Sequence, residues 1–260
     1  MDEAPPKLVP GTLYLVATPI GNLEDITLRA LRVLKRCDRV AAEDTRRTGQ
    51  LLRHFGISKP LVSCFQHNEA RRGKELIERL RGGEAVALVT DAGSPGISDP
   101  GERLVRAVLE AGLRVEPVPG PSALVAALTA SGLATDEFHF VGFLPHKSGQ
   151  RLRRLEAMRS IPGTLVMYES PHRIGRLLGE LASVFPLREV VMARELTKRF
   201  EEFLRGRPAE LVEICRHRAL KGEFVVMIGA EGEEEVRADE NRGWARMKNS
   251  TGRRSEGGGV

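Results

Sequence analysis

The stretch AVALVTDAGSPGISDPGERLVRAVLEAG (85–112) decides the fold. Its first six residues are a near-continuous apolar run, the pattern of a strand covered on both faces in a parallel sheet. Gly, Ser, Pro and Asp then break the pattern over 91–101. LVRAVLEAG (104–112) reads as a helix stopped by Gly112, and LRVEPV (113–118) reads as a strand again. Within the loop, Asp99 stands before Pro100 and three residues ahead of Glu102. SDPGE therefore reads as a helix start, with Asp99 as its N-cap and Pro100 in the first position. Gly93, Gly96 and Gly101 allow tight turns or close backbone approach. Asp91 leaves the strand at the end where open α/β sheets place ligands. It reads equally well as a site carboxylate and as a loop cap.

The same alternation continues on both sides. TLYLVA (12–17), 38–42, 85–90 and 113–118 read as strands, and 28–34, 45–56, 74–83 and 104–112 as helices. A second series begins near Asp136, with strands at 139–144, 164–170, 188–197 and 223–229 and helices at 150–159, 173–185 and 208–220. The expected class is α/β, with a flexible stretch at 1–10, one domain at 11–120, a second at 121–231 and a disordered tail at 232–260. Trp244 is a candidate tether for part of that tail.

The chain has 260 residues, three cysteines and a net charge of +5. Cys37, Cys64 and Cys215 are odd in number and far apart, which argues against a disulfide framework and a structural zinc site. The N-terminus is acidic and Pro-rich without a signal-peptide pattern, so a cytoplasmic location is expected. The basic charge permits an anionic partner such as RNA without requiring one.

The loops carry the chemistry. ATPIGN (17–22) and VPGPSA (118–123) resemble the 91–101 loop in being rigid Pro/Gly segments after strands. None is a dinucleotide or phosphate loop. Together they suggest a cleft lined by backbone groups for a polar, largely neutral ligand. AEDTRRTG (42–49) sets Glu43 and Asp44 beside Arg46 and Arg47, a helix cap with local charge pairs or a polar rim for phosphates. MYESPHR (167–173) and ARELTK (193–198) place Tyr168, Glu169 and Arg173, then Arg194, Glu195 and Lys198, at two strand exits. LPHKSGQRLRRLEAMR (144–159) holds Lys147, Arg151, Arg153, Arg154 and Arg159, a solvated face or a phosphate-contacting patch. Aromatic residues make up only 5% of the chain, so no large base-stacking surface is expected.

Seven motifs in order now point to one family: ATPIGNLEDITLRAL (17–31), AAEDTRRTG (41–49), DAGSPGISDPG (91–101), PGPSA (119–123), GFLPHKSG (142–149), YESPHR (168–173) and ARELTK (193–198). The chain resembles the ribosomal RNA small-subunit methyltransferase I family, on the wider tetrapyrrole methylase-like fold, from about residue 11 to 229. The resemblance implies two α/β domains with the cofactor cleft between them, in a homodimer. It implies S-adenosyl-L-methionine as cofactor and the ribose 2′-hydroxyl of cytidine 1402 in 16S rRNA, within the small ribosomal subunit, as target; no metal site is read from the residues. By similarity the cofactor residues are Pro19, Gly21, Asn22, Asp91, Ala92, Gly93, Ser94, Ile97, Ser98, Pro121, Ser122, Ala123, Tyr168 and Glu223. A ribose hydroxyl that attacks a methyl group must lose its proton, so a base is expected among Glu43, Asp44, Glu169 and Glu195. Arg46, Arg47, Lys147, Arg151, Arg154, Arg173, Arg194 and Lys198 are the expected RNA-binding residues. A tetrapyrrole methylase and a non-catalytic ribosome-binding protein are the competing readings. Where some members of the family carry a C-terminal helical segment, this chain has an acidic, Gly-ending tail.

Overall fold

The structure, a computed structural model, describes residues 7–65 and 68–230. The tail at 232–260 with Trp244, and the first six residues of the N-terminal stretch, lie outside the described residues. The chain divides into two units. One runs up to Ala126 and includes Leu196–Arg199; the other runs from Ala127 to Glu195 and resumes at Phe200. The division thus falls inside a helix six residues beyond the 120/121 boundary read from sequence, and three residues of the ARELTK exit, with Arg199 after them, go with the first unit.

The first unit is a five-stranded, all-parallel sheet in the order β3-β2-β4-β1-β5. Its strands are β1 (Thr12–Val16), β2 (Arg39–Ala42), β3 (Leu61–Ser63), β4 (Val86–Val89) and β5 (Arg114–Val118). Between them lie α1 (Leu28–Arg36), α2 (Thr45–His54), α3 (Glu69–Arg81) and α4 (Glu102–Glu110). Alternate side chains of the central strands point to opposite faces. Val16, Val40 and Ala87 pack with Ala30, Val33, Leu34 and Leu52 of α1 and α2. Leu13, Ala41, Val86 and Leu88 pack with Leu76, Leu80, Leu104 and Val108 of α3 and α4. A strand covered on both faces must be apolar throughout, which is why all four residues of β4 are buried. The short strand β3 escaped the sequence reading because an edge strand of three half-buried residues has no periodicity to detect.

The second unit carries another five-stranded sheet, in the order β6-β7-β10-β8-β9. Its strands are β6 (Phe138–Phe143), β7 (Thr164–Glu169), β8 (Val190–Arg194), β9 (Glu202–Gly206) and β10 (Phe224–Ile228). Only β6 and β7 run parallel; the other pairs are antiparallel. Leu165, Met167, Met192 and Val226 pack against α6 (Ser148–Ala157), α7 (Ile174–Val184) and α8 (Pro208–His217) through Leu155, Leu177, Leu181 and Leu211. The edge strand β9, sequence EFLRG, was also unforeseen; its charges hide its pairing. The helix α5 (Ala123–Thr129) spans the division between the units. No helix among the described residues is long and apolar enough to cross a membrane.

The start of α4 corrects one expectation. Gly101, with φ +138°, is its N-cap, and no side chain of the 91–101 loop caps it. The cap comes from α3: the buried Glu69 carboxylate accepts the amides of Gly101 at 3.1 Å and Leu104 at 2.9 Å. A negative group at a helix N-terminus satisfies free amides and complements the dipole. We expect Glu69→Ala to lower stability by about 2 kcal/mol, the scale of charge-assisted hydrogen bonds removed from a buried site. Urea unfolding measures it; a loss under about 0.5 kcal/mol, within the range of ordinary surface changes, would show that Glu69 does not hold the helix start.

Candidate functional site

The carboxyl ends of β2, β4 and β1 lie side by side in the first sheet. The helices that follow β2 and β1 pack on one face, and the helix that follows β4 packs on the other. Diverging connections open a crevice at that edge, where α/β sheets bind ligands. The three Pro/Gly loops meet there. Thr18 and Gly93 exchange backbone hydrogen bonds of 2.9 Å each, Thr18 Oγ1 donates to Thr90 O at 3.0 Å, and Ser94 Oγ donates to Pro121 O at 3.5 Å. Gly93 sits at φ +83°, and a Cβ on Gly120 would come within 2.9 Å of Ala17 Cβ. Glycine is therefore required for the loops to approach each other. A cavity of about 380 Å³ opens beside them, lined by Thr18, Pro19, Leu23, Arg47, Thr48, Gln50, Leu51, His54, Thr90 and Asp91. Ala92, Ile97 and Ser98 of the 91–101 loop are exposed, and Pro121, Ser122 and Ala123 are half-buried.

Carboxylates gather at this edge. The Thr90 hydroxyl donates to Glu43 Oε2 at 2.6 Å, and the Asp91 amide lies 3.4 Å from the same oxygen. Asp91 Oδ2 pairs with Arg47 Nη1 at 2.9 Å, while its buried Oδ1 lacks a hydrogen-bond partner. Burial, reinforced by the charge of Glu43, raises the Asp91 carboxyl, and Arg47 opposes the shift. Asp99 was read from sequence as a cap. It is instead the most displaced acid of the group, pushed up to about 6 by burial and then by Glu43, with Thr90 pulling it down. Asp44 belongs to the helix: it caps α2 by accepting the Arg46 amide at 2.7 Å, which lowers its pKa. Asn22 caps a short turn by accepting the Glu24 amide at 3.1 Å. Gly21 lies against the Leu196–Arg199 segment, where a Cβ would come within 2.5 Å of Lys198 Cγ.

In the second unit, Glu169, Arg194 and Phe224 share a register at one end of the sheet. Glu169 is fully buried, accepts the Ser170 amide at 2.7 Å and lies 3.0 Å from Arg173 Nη2. Arg173 also donates to Leu144 O at 2.9 Å, so it ties the 144–146 loop to β7. Glu195, at φ +50°, clips the turn before β10: its Oε1 accepts the Glu223 amide at 3.0 Å, and its own amide donates to Glu223 O at 3.0 Å. Arg194 pairs with Glu202 at 2.8 Å and donates to Lys221 O at 3.1 Å. Arg151 has a different place from the one read in sequence. It is 2% exposed, pairs with Glu180 through two bonds of 2.5 and 2.7 Å, and donates to Pro145 O and His146 O. A guanidinium so enclosed has no free face for a phosphate. Lys147 and Arg154 are exposed, as is Arg46, whose side chain is 90% accessible. Tyr168, half-buried, contacts Phe140 and Phe143.

The sequence reading missed Thr90, Asp99 and Glu69 as working groups. Thr90 and Asp99 flank the Asp91 loop and were within reach of a reading that treated every polar residue there as a site candidate. Glu69 carried no signal, since its partners lie 32 and 35 residues away.

The family model for tetrapyrrole (corrin/porphyrin) methylases matches residues 12–212. The chain is 51% identical over 224 residues to the ribosomal RNA small subunit methyltransferase I of Halalkalibacterium halodurans, covering 86% of this chain and 78% of that one. It is 51% identical over 237 residues to the protein of the same name from Pseudomonas aeruginosa, covering 88% and 84%. Among solved structures, diphthine synthase superposes with a TM-score of 0.65 at 20% identity, over 84% of this chain and 90% of that one. Uroporphyrin-III C-methyltransferase from Thermus thermophilus, in complex with S-adenosyl homocysteine, superposes with a TM-score of 0.59 at 23% identity, over 87% and 99%. These two likenesses speak for the fold; the sequence matches speak for the lineage. The chain belongs to the tetrapyrrole methylase family, in its ribosomal RNA small-subunit methyltransferase I branch.

Proposed function

We propose that this protein methylates the ribose 2′-hydroxyl of cytidine 1402 in 16S rRNA, acting on the small ribosomal subunit. Its methyl donor is S-adenosyl-L-methionine. The observation that carries the reading is the crevice at the carboxyl edge of the first sheet. Thr18, Pro19 and Asp91 of two Pro/Gly loops line its cavity, the third loop is tied to them through Ser94 and Pro121, and the sequence holds no phosphate-loop motif. The donor fits this setting. It has no phosphate, and its sulfonium and ammonium charges are attracted to the buried, unbonded Oδ1 of Asp91. Pro19, Gly21, Asp91–Ser94, Ile97, Ser98 and Pro121–Ala123 are the residues proposed to hold it. When bound it supplies a methyl group activated by the positive sulfur, which leaves as a neutral thioether.

The chain's own groups do the rest. Positioning the ribose oxygen in line supplies much of the rate. The hydroxyl proton needs an acceptor. Asp44, Glu169 and Glu195 already cap a helix, neutralise Arg173 and clip a turn. Glu43 and Asp99 remain, on either side of Thr90. We assign the proton to Asp99, which meets the Thr90 hydroxyl at the cavity wall and whose carboxyl is pushed up to about 6 by burial and then by Glu43, and we assign Glu43 the task of keeping it there. Exposed Arg46, Lys147 and Arg154 are proposed to meet phosphates, a contact that orients RNA without reading its bases. A homodimer in the cytoplasm completes the proposal. The test supplies labelled donor to the protein with either unmodified small subunits or a uroporphyrinogen. Label in 16S rRNA is expected; label only in the tetrapyrrole would move the chain to small-molecule chemistry.

A further inference from the structure

The α2 wall of the cavity takes no part in the chemistry above. Arg47, Gln50, Leu51 and His54 line the cavity at the i, i+3, i+4, i+7 spacing of one helix face. Such a stripe is apolar where a helix packs on a core, and α2 reaches the core through Leu52 instead. The Gln50 carboxamide makes no hydrogen bond to any described residue, so its donor and its acceptor both stay open. The exposed His54 ring stands edge-on to Phe55, with centroids 4.8 Å apart, and Phe55 packs on the core. Pro19 and Leu23 bring apolar surface to the cavity from the loop after β1, and Leu23 is 40% exposed.

The crevice must take two reactants, and the cavity lies to one side of the donor's loops. Of the residues proposed to hold the donor, Pro19 and Asp91 line the cavity, while residues 92–98 and 121–123 do not. Thr90 lines it too, and its hydroxyl stands between Glu43 and Asp99. The acceptor oxygen must meet both the methyl group and the base, so it enters where Asp91 and Thr90 face the same space. Asp91 and Arg47, the carboxylate and the guanidinium of the lining, pair at 2.9 Å, which suits a neutral polar occupant. Glu24 and Asp44, the acids next in sequence to these walls, do not line it. Its volume of about 380 Å³ falls in the range of small-ligand pockets and holds one nucleoside, not a duplex. Enzymes that act on a single nucleotide hold it outside the stack, with hydrogen bonds to the base edge and flat contacts on its faces. We propose that the α2 face is the wall that binds the acceptor nucleotide, with Gln50 on the polar edge of its base and His54 and Leu51 against its face. Arg47, 69% accessible, keeps further N–H groups for the phosphate at the rim. The proposal rests on the rRNA reading above.

The test uses the full chain, unmodified small subunits and labelled methyl donor, with Gln50→Ala, His54→Ala and His54→Phe. Both side chains are exposed, so all three variants should keep the melting temperature of the unmutated protein. Gln50→Ala and His54→Ala should each raise the KM for subunits at least about fivefold, the low end for one base-reading hydrogen-bond pair or one stacked ring. Donor affinity, measured by calorimetry without RNA, should stay unchanged. His54→Phe keeps a flat ring and should stay near the unmutated KM. An unchanged KM in either Ala variant overturns the pocket while leaving the rRNA reading intact. Weakened donor affinity would give the cavity to the donor and overturns the proposal as well. If the unmutated protein methylates no subunits, the rRNA reading fails and the pocket falls with it.

Discussion

Arg151→Ala should cost about 3–5 kcal/mol of stability, because it leaves the Glu180 carboxylate half of a buried ion pair without its partner. Domains of this kind carry a total of about 5–15 kcal/mol, so the variant should unfold far earlier in urea. The guanidinium also holds the carbonyls of Pro145 and His146, so the 144–146 loop should loosen with it. Adding Glu180→Ala should recover part of the loss, since the double variant buries no lone charge. Folded Arg151→Ala should keep its dependence of RNA binding on salt. Lys147→Ala and Arg154→Ala should do the opposite: little change in stability, and a salt slope of log K against log [salt] reduced by about 0.7–0.9 for each phosphate no longer neutralised. A normal urea midpoint for Arg151→Ala with a flattened salt slope would return this residue to the RNA face.

Asp99→Asn should lower kcat by about 10²–10⁴, the contribution of a positioned general base, with cofactor affinity little changed. The sign of the pH dependence follows from the site. The base works deprotonated, so turnover of the unmutated protein should rise as pH passes upward through about 6 and level off above it. The groups that act on Asp99 are Glu43, Asp91 and the Thr90 hydroxyl. Burial raises its pKa, and the negative charge of Glu43 raises it further. Glu43→Gln removes that charge, so the acid limb should shift to lower pH while the plateau persists. A profile that is flat from pH 5 to 8, or an Asp99→Asn enzyme with near-normal kcat, would remove Asp99 from the chemistry.

Much of the first unit was legible in the sequence because a parallel sheet under two helix layers forces continuous apolar strands and loops at their carboxyl ends. AVALVT, TLYLVA and the three Pro/Gly loops carried that signal, and the structure joins the loops through Thr18, Gly93 and Pro121. Short edge strands were not legible, since LVS and EFLRG bury too little to show a period. The cap of α4 was misread for a different reason: local chemistry offered Asp99, but a buried carboxylate from α3 reached the amides first. Arg151 could have been separated from its neighbours. Arg151 and Leu155 on α6 and Met158 at its C-cap form an i, i+4, i+7 stripe, and all three are buried, whereas Arg153 lies on the opposite side of the helix and is exposed. What no pattern could show was Glu180 waiting on α7.

The decisive observable is where the methyl group lands. Small subunits lacking the modification, incubated with this protein and S-adenosyl-L-methionine, should gain one methyl group on the ribose 2′-oxygen of cytidine 1402, seen as protection of that linkage from alkaline cleavage. Methylation of the base at that nucleotide, of a ribose elsewhere, or no methylation of 16S rRNA would contradict it.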